Sequence, residues 1–233
     1  MINCKKLGVI GALDEEVRAV IDSCNIQSTK NALGTCFYEG SLGSTNVVVV
    51  RCGVGKVNSA ITAQRLIDVF GCDAIINIGV AGSINNAVRK NHVVLSTELF
   101  EHDMDALEGA GVIPRMDSSV FVADDCLLEK ARLACEKVLA PGCFHVGTIV
   151  SGDQFINSSE KKKWLESTFG AICAEMEGAA IAHTCTLNDV PFLIMRSISD
   201  LADEDAADSF EETKEEATDY TTSVLLEMIN SFS

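Results

Sequence analysis

The sequence predicts an α/β domain, with helices on both sides of a mostly parallel sheet. Short unbroken apolar runs, such as "KLGVIGAL" and "DAIINIGVAGSI", fit strands buried on both faces. These runs alternate with stretches of helical periodicity, which is how strand–helix–strand units appear in sequence. The chain has 233 residues, only three prolines and no Pro/Gly/Ser linker. That predicts one domain over 1–233, long enough for a substantial core.

The elements follow in order. "KLGVIGAL" reads as a buried strand, and Asp14-Glu15-Glu16 as an acidic helix start. "CFYEGSLGSTNVVVVRCG" reads as a hairpin turning near Gly43-Ser44. "KVNSAITAQRLIDVF" has helical periodicity, with Ile61, Leu66 and Val69 among its apolar positions. "DAIINIGVAGSI" is a strand expected to run into a glycine turn, and the strand "HVVLSTELF" follows. "DDCLLEKARLACEKVL" is a helix with Asp124 or Asp125 near its start. "FHVGTIVSGDQFI" is strand then loop, "SEKKKWLESTF" a short helix, "PFLIMRSISD" a strand, and about Ser209 to Ile229 the last helix.

Composition limits the function. Apolar residues make up 47% and charged residues 22%, as in an ordinary globular protein. A formal net charge of −16 repels phosphate backbones and anionic lipid, so neither nucleic acid nor membrane is an expected partner. Much of the acid lies in "DLADEDAADSFEETKEEATD", which reads as a solvated helix face and its lead-in loop. The ten cysteines contain no Cys-x-x-Cys pair and mostly sit in apolar runs. They read as buried free thiols of a cytoplasmic protein, with no metal site. No apolar run reaches membrane-spanning length, and the N-terminal run is too short for a signal peptide.

In α/β sheets ligands sit beyond the carboxyl ends of strands, and here those ends carry the chemistry: "GALDEE", "RCGVGKVNSA", "GVAGS", "SGDQF", "AEMEG" and "RSISD". The glycine turns complete neither a Walker loop nor a dinucleotide fingerprint. The carboxylates Glu16, Glu175, Glu177 and Asp200 lie at or just past strand ends, as does Asp153 in a turn-like Ser-Gly-Asp. Acids grouped in a partly apolar pocket raise one another's pKa values, so one can hold a proton near neutrality while another stays ionised. That predicts acid/base chemistry without metal or cofactor. The four histidines show no triad spacing; His102 is a candidate ligand contact and His183 a structural residue.

Six segments, "GVIGALDEEV", "RCGVGKVNSA", "INIGVAGS", "VSGDQFI", "AEMEGAAIAH" and "PFLIMRSISD", stand in an order and at separations that resemble the 5′-methylthioadenosine/S-adenosylhomocysteine nucleosidases of the nucleoside phosphorylase superfamily. The resemblance spans nearly the whole chain. It implies a three-layer sandwich with a mixed, mostly parallel sheet, homodimeric pairing, and hydrolysis of the bond between adenine N9 and ribose C1′. By position, Glu16 matches the acid that activates water, and Asp200 the acid that protonates adenine N7. Glu177 matches the carboxylate on the ribose hydroxyls, with Met176 against the sugar. Phe155 matches the ring that stacks on adenine, Ile156 the backbone that reads the purine edge, and Arg196 a charge near the ribose end. Val54, Val80, Gly82 and Ser199 complete the implied substrate-binding set. Glu175 stands behind Glu177 or faces solvent, and Leu13 and Gln154 are further pocket liners. Val80 stands where some members carry a hydroxyl. The resemblance also puts the 102–114 segment near the partner's active site, although here it is short and lacks an aromatic. Three other readings compete: a nucleoside phosphorylase, an aminodeoxyfutalosine nucleosidase, and a non-catalytic nucleoside-binding protein.

Overall fold

The computed structural model describes residues 4–232; residues 1–3 and 233 of the predicted 1–233 span lie outside the described residues. The chain opens with β1 (Lys6–Gly11), α1 (Asp14–Ser23), β2 (Asn25–Ala32), β3 (Thr35–Leu42) and β4 (Thr45–Arg51). Next come α2 (Lys56–Asp68), β5 (Ala74–Ser83) and β6 (Val93–Glu101). A small hairpin, β7 (Asp105–Ala106) and β8 (Gly109–Ala110), precedes β9 (Phe121–Val122), α3 (Asp125–Val138) and β10 (Phe144–Ser151). The chain ends with α4 (Ser159–Phe169), β11 (Ala171–Glu175), α5 (Gly178–Leu187), β12 (Phe192–Asp200) and α6 (Ala206–Asn230).

The main sheet runs β11-β10-β6-β12-β5-β1-β4-β3-β2. Pairing is parallel through β4, β1, β5 and β12 and again through β6, β10 and β11, with antiparallel joints at β12–β6 and in the β2–β3–β4 meander. The sheet is therefore mixed, as the resemblance implies. Its far end curls back: Cys173 and Ala174 of β11 pair antiparallel with Ser83 and Gly82 of β5. This closure brings the end of β11 beside the ends of β5 and β12. Helices pack in two groups, α2 with α5 and α1 and α3 with α6. β1, β5 and β12 between them are buried almost from end to end, which explains their unbroken apolar runs.

The structure departs from the sequence reading in places. β2 is an exposed edge strand of mostly polar residues, "NIQSTKNA", held by ladder bonds to β3 alone, so it carries no apolar period to read. Its turn into β3 places Leu33 and Gly34 both at positive φ, as a tight two-residue hairpin requires. "GVAGS" is not a turn, because β5 continues through it to Ser83. On α2, Leu66 is buried, but Ile61 and Val69 are about half exposed; the buried face also takes Ser59, Thr62 and Ala63. Only Cys72, Cys135, Cys173 and Cys185 are fully buried, and Cys126 is exposed. Among the described residues no helix is long and apolar enough to cross a membrane.

Asp124 rather than Asp125 caps α3, accepting from the amides of Cys126 and Leu127 at 2.9 Å each. Asp124→Ala should lower stability by about 1 kcal/mol, read as a shifted midpoint in urea unfolding with an unchanged slope.

Candidate active site

β1 ends at Gly11 and the chain turns at once into α1, so Glu16 lies in the first helical turn, above the strand end. Its carboxylate is fixed by backbone: Oε2 accepts from the amides of Ala12 and Leu13, and Oε1 from Val80 at 3.0 Å. Val80 thus offers its amide to the acid. Gly79 lets this acid approach. A Cβ there would come within 2.5 Å of Glu16 Oε1 and would also collide with Arg196 Nη1. Gly82 does the same for Asp200, since its Cβ would lie 2.8 Å from Asp200 Oδ1. These two glycines admit side chains; they do not bend the strand.

Arg196, on β12, is completely buried. Its Nη2 donates to Glu175, to Asn77 Oδ1 at 2.6 Å and, at 3.5 Å, to Glu177 Oε2. Burial alone would lower the guanidinium's pKa, but Glu175, Glu177 and Glu16 together hold it above the ordinary value. Glu175 is no solvent-facing residue. It accepts from the Ser151 hydroxyl, from the amides of Glu177 and Gly178, and from Arg196. It therefore ties the end of β11 to the start of α5. The small residues that follow let α5 begin against the sheet: Ala179 N–H donates to Ser151 Oγ, and Gly178 packs on Ile194.

Glu177, Oε1 of which accepts from Gly55 N–H at 2.9 Å, is nearly buried. Burial pushes its pKa up to about 8, Arg196 opposes that shift, and Glu175 adds to it. Burial likewise raises Glu16 against the pull of Arg196 and its three amides. Asp200 is raised by burial too, against the Ala202 amide and the Ser199 hydroxyl, which donate to it at 2.9 Å each. Three acids with raised pKa values thus meet in one place, as grouped carboxyls in a dry site should.

They meet in a cleft of about 370 Å³, within the range of small-molecule sites. Glu16, Glu177 and Asp200 line it, as do Val54, Val80 and Gly82. Glu175, Met176 and Ser199 form further wall, and Gln154, Phe155 and Ile156 come from the loop after β10. Phe155 is 44% exposed, whereas Ile156 is anchored in a small apolar cluster with Ile84, Val150 and Leu165. A wider groove of about 930 Å³, between α1 and the β2–β3 hairpin, contains none of the predicted site residues.

Two expectations need correction. Arg196 does not line the cleft; it lies behind Glu175 and Glu177, and a charge at the ribose end would act only through them. His102 is buried against Gly152 and does not line the cleft either. His183 is structural, bonded to Glu101 and stacked on Phe121. Sequence reasoning missed Asn77 and Ser151, which hold Arg196 and Glu175, and the side of the cleft made by Phe210, Glu211 and Lys214 of α6. Phe210 meets Phe155 edge-on at 5.9 Å, and Lys214 pairs with Glu211. The available signals were a lone polar residue inside apolar "IINIG" and a lone aromatic inside the acidic tail.

The phosphorylase superfamily model matches residues 6–230. A 5′-methylthioadenosine/S-adenosylhomocysteine nucleosidase of Exiguobacterium sp. is 40% identical over 217 residues, covering 91% of this chain and 92% of that protein. An aminodeoxyfutalosine nucleosidase of Helicobacter pylori is 33% identical over 232 residues, covering 97% and 99%. The crystal structure of the Neisseria meningitidis 5′-methylthioadenosine/S-adenosylhomocysteine nucleosidase, in complex with methylthio-immucillin-A, superposes with a TM-score of 0.93 at 33% identity, covering 97% of this chain and 99% of that one. A match of this extent in sequence and fold means that the chain belongs to the 5′-methylthioadenosine/S-adenosylhomocysteine nucleosidase family of the phosphorylase superfamily.

Proposed function

We propose that the protein hydrolyses the N-glycosidic bond of 5′-methylthioadenosine and S-adenosylhomocysteine, releasing adenine and the 5-thioribose sugar. The observation that carries this reading is the convergence of Glu16, Glu177 and Asp200 on one cleft, in a chain 40% identical to a nucleosidase of that name.

The roles follow from charge development. An N-glycoside breaks through a sugar cation, and adenine leaves poorly as an anion. Asp200, whose pKa burial raises, protonates N7 so that adenine departs neutral. A positioned general acid contributes ~10²–10⁴-fold, roughly 3–5 kcal/mol of barrier. Glu177 holds the ribose hydroxyls, and its negative charge favours the developing cation. Glu16, held by three amides, takes a proton from water that attacks C1′ opposite the base, inverting that centre. Phe155 and the Ile156 backbone receive the purine, while Met176 packs on the sugar. Val54, Gly82 and Ser199 complete the walls. Phosphorolysis is disfavoured, because Lys214 is the one cation lining the cleft among the described residues, and it is paired with Glu211.

The protein acts as one domain over 1–233, in the cytoplasm, as a homodimer serving methionine salvage and nucleoside catabolism. Exposed Val57 and Ile61 on α2, and the fully exposed Leu107 between β7 and β8, support a partner on that side. The 102–114 segment then lies near the partner's active site.

Incubation with 5′-methylthioadenosine should release adenine and the free thioribose with or without phosphate; a sugar 1-phosphate appearing only with phosphate would make the protein a phosphorylase, and no adenine at all would leave a binding protein. Running S-adenosylhomocysteine and aminodeoxyfutalosine in parallel decides the substrate. Asp200→Asn should cut kcat by at least about 10²-fold while ligand binding stays measurable by calorimetry, and near-normal turnover would remove Asp200 from the N7 role. The pH profile of kcat/KM should be bell-shaped: Glu16 gaining its proton sets the acid limb, and Asp200 losing its proton sets the alkaline limb. Because burial raises both groups, both limbs should lie above the range of ordinary carboxyls.

A further inference from the structure

The turn at Gly55 and Lys56 bonds Glu177, which lines the cleft, and Asp153, which precedes the loop that lines it. Gly55 N–H donates to Glu177 Oε1, and the next amide, Lys56 N–H, donates to Asp153 Oδ1 at 2.8 Å. Gly55 has φ +99°, and a Cβ there would lie 3.0 Å from that same Asp153 oxygen, so both the backbone and the close approach require glycine. The Lys56 side chain then turns inward. Its Nζ donates to Asp103 Oδ1 at 2.6 Å and to Glu101 Oε2 at 3.1 Å. The second oxygen of Asp103 accepts from Asp153 N–H at 2.9 Å. A ring is thereby closed from the Lys56 ammonium to Asp103, to Asp153, and back to the Lys56 amide.

This ring lies at the root of the loop that presents Phe155 and Ile156 to the cleft. Among the described residues, Gln154, Phe155 and Ile156 make no hydrogen bonds of their own, so Asp153 fastens the loop at this end. The ammonium that holds Asp103 is mostly buried, as are both acids: side-chain exposures are 17% for Lys56, 9% for Glu101 and 15% for Asp103. His183 meets the other oxygen of Glu101 at 3.0 Å. Without Lys56, two acids would face each other with no ammonium between them in a poorly solvated place. Repulsion would drive Asp103 away and take the Asp153 amide's partner with it.

We propose that Lys56 is a positioning residue for the nucleosidase reaction: its ammonium, through Asp103 and Asp153, sets the purine loop, while the turn it begins sets Glu177. One cation thus fixes the purine and ribose subsites relative to each other. This inference rests on the nucleosidase reading, and a loop whose hydrogen bonds over residues 153–156 all belong to this ring should lose purine affinity when the ring opens, since displacements near 1 Å can cost about 10²-fold at a reacting centre.

The test compares wild type with Lys56→Met, Lys56→Arg and Asp103→Asn. For each folded protein kcat and KM are measured with 5′-methylthioadenosine, and Kd with free adenine by calorimetry. Lys56→Met and Asp103→Asn should raise both KM and the adenine Kd about tenfold or more, with a smaller fall in kcat, and Lys56→Arg should recover most of the affinity. A merely structural role would reduce the folded fraction and leave KM and Kd unchanged; that result overturns the inference. Should Lys56→Met not fold, Asp103→Asn decides, because it opens the ring at similar side-chain size. A wild type that binds adenine but cleaves no nucleoside contradicts the nucleosidase reading alone, and the adenine Kd values still decide the role of Lys56.

Discussion

The guanidinium of Arg196, without any solvent contact, bonds Glu175, Glu177 and Asn77 from the middle of β12. A buried ion is tolerated only when it is paired, and here all three bonds run through Nη2, while Nε and Nη1 have no hydrogen-bond partner. Here the pairing has a consequence for chemistry, because Glu16 also feels this charge. Three carboxyl groups share one cation in a site that burial has largely dried. Burial raises the pKa values of Glu177 and Glu16, and the guanidinium opposes that shift in both. Asp200 lies apart, with the Ser199 hydroxyl and the Ala202 amide as its partners. The cleft therefore separates one carboxyl, Glu16, held by three backbone amides near a guanidinium, from another, Asp200, held by one amide and one hydroxyl.

The sheet makes this possible. β11 leaves β10 and reaches β5 at Cys173 and Ala174, which carries Glu175 and Glu177 over the ends of β5 and β12. Without that closure the two halves of the cleft would sit on separate strands of an open sheet. Gly79 and Gly82 then remove the side chains that would keep Glu16 and Asp200 from the sheet. Fold and site meet in these glycines: a methyl group at either position would meet a carboxylate oxygen, of Glu16 at Gly79 and of Asp200 at Gly82.

Much of this was legible in the sequence. Buried strands appear as apolar runs, and acids at their ends stand out because nothing in a strand's packing calls for them, as with Glu16 after "GVIGAL" and Asp200 after "RSIS". What was not legible had local signals that pointed elsewhere. The edge strand β2 faces water, so its residues carry no apolar alternation. "GVAGS" looks like a turn because glycine usually marks one, whereas here it marks close approach. Phe210 and Lys214 sit in an acidic helix whose composition suggests only solvent, and their place in the cleft depends on how α6 folds back across β12 and β5. Arg196 was visible as a charge in an apolar strand, but its burial behind the acids follows from which face of β12 it occupies.

The shared-cation account is tested most directly by carboxyl ¹³C NMR titration of the ligand-free protein, with Glu16, Glu177 and Asp200 assigned through single substitutions. The account predicts a midpoint near about 8 for Glu177, and midpoints for Glu16 and Asp200 above the ordinary carboxyl range. If all three titrate near pH ~4, as exposed acids do, burial does not raise the acids of this cleft, and the account is wrong.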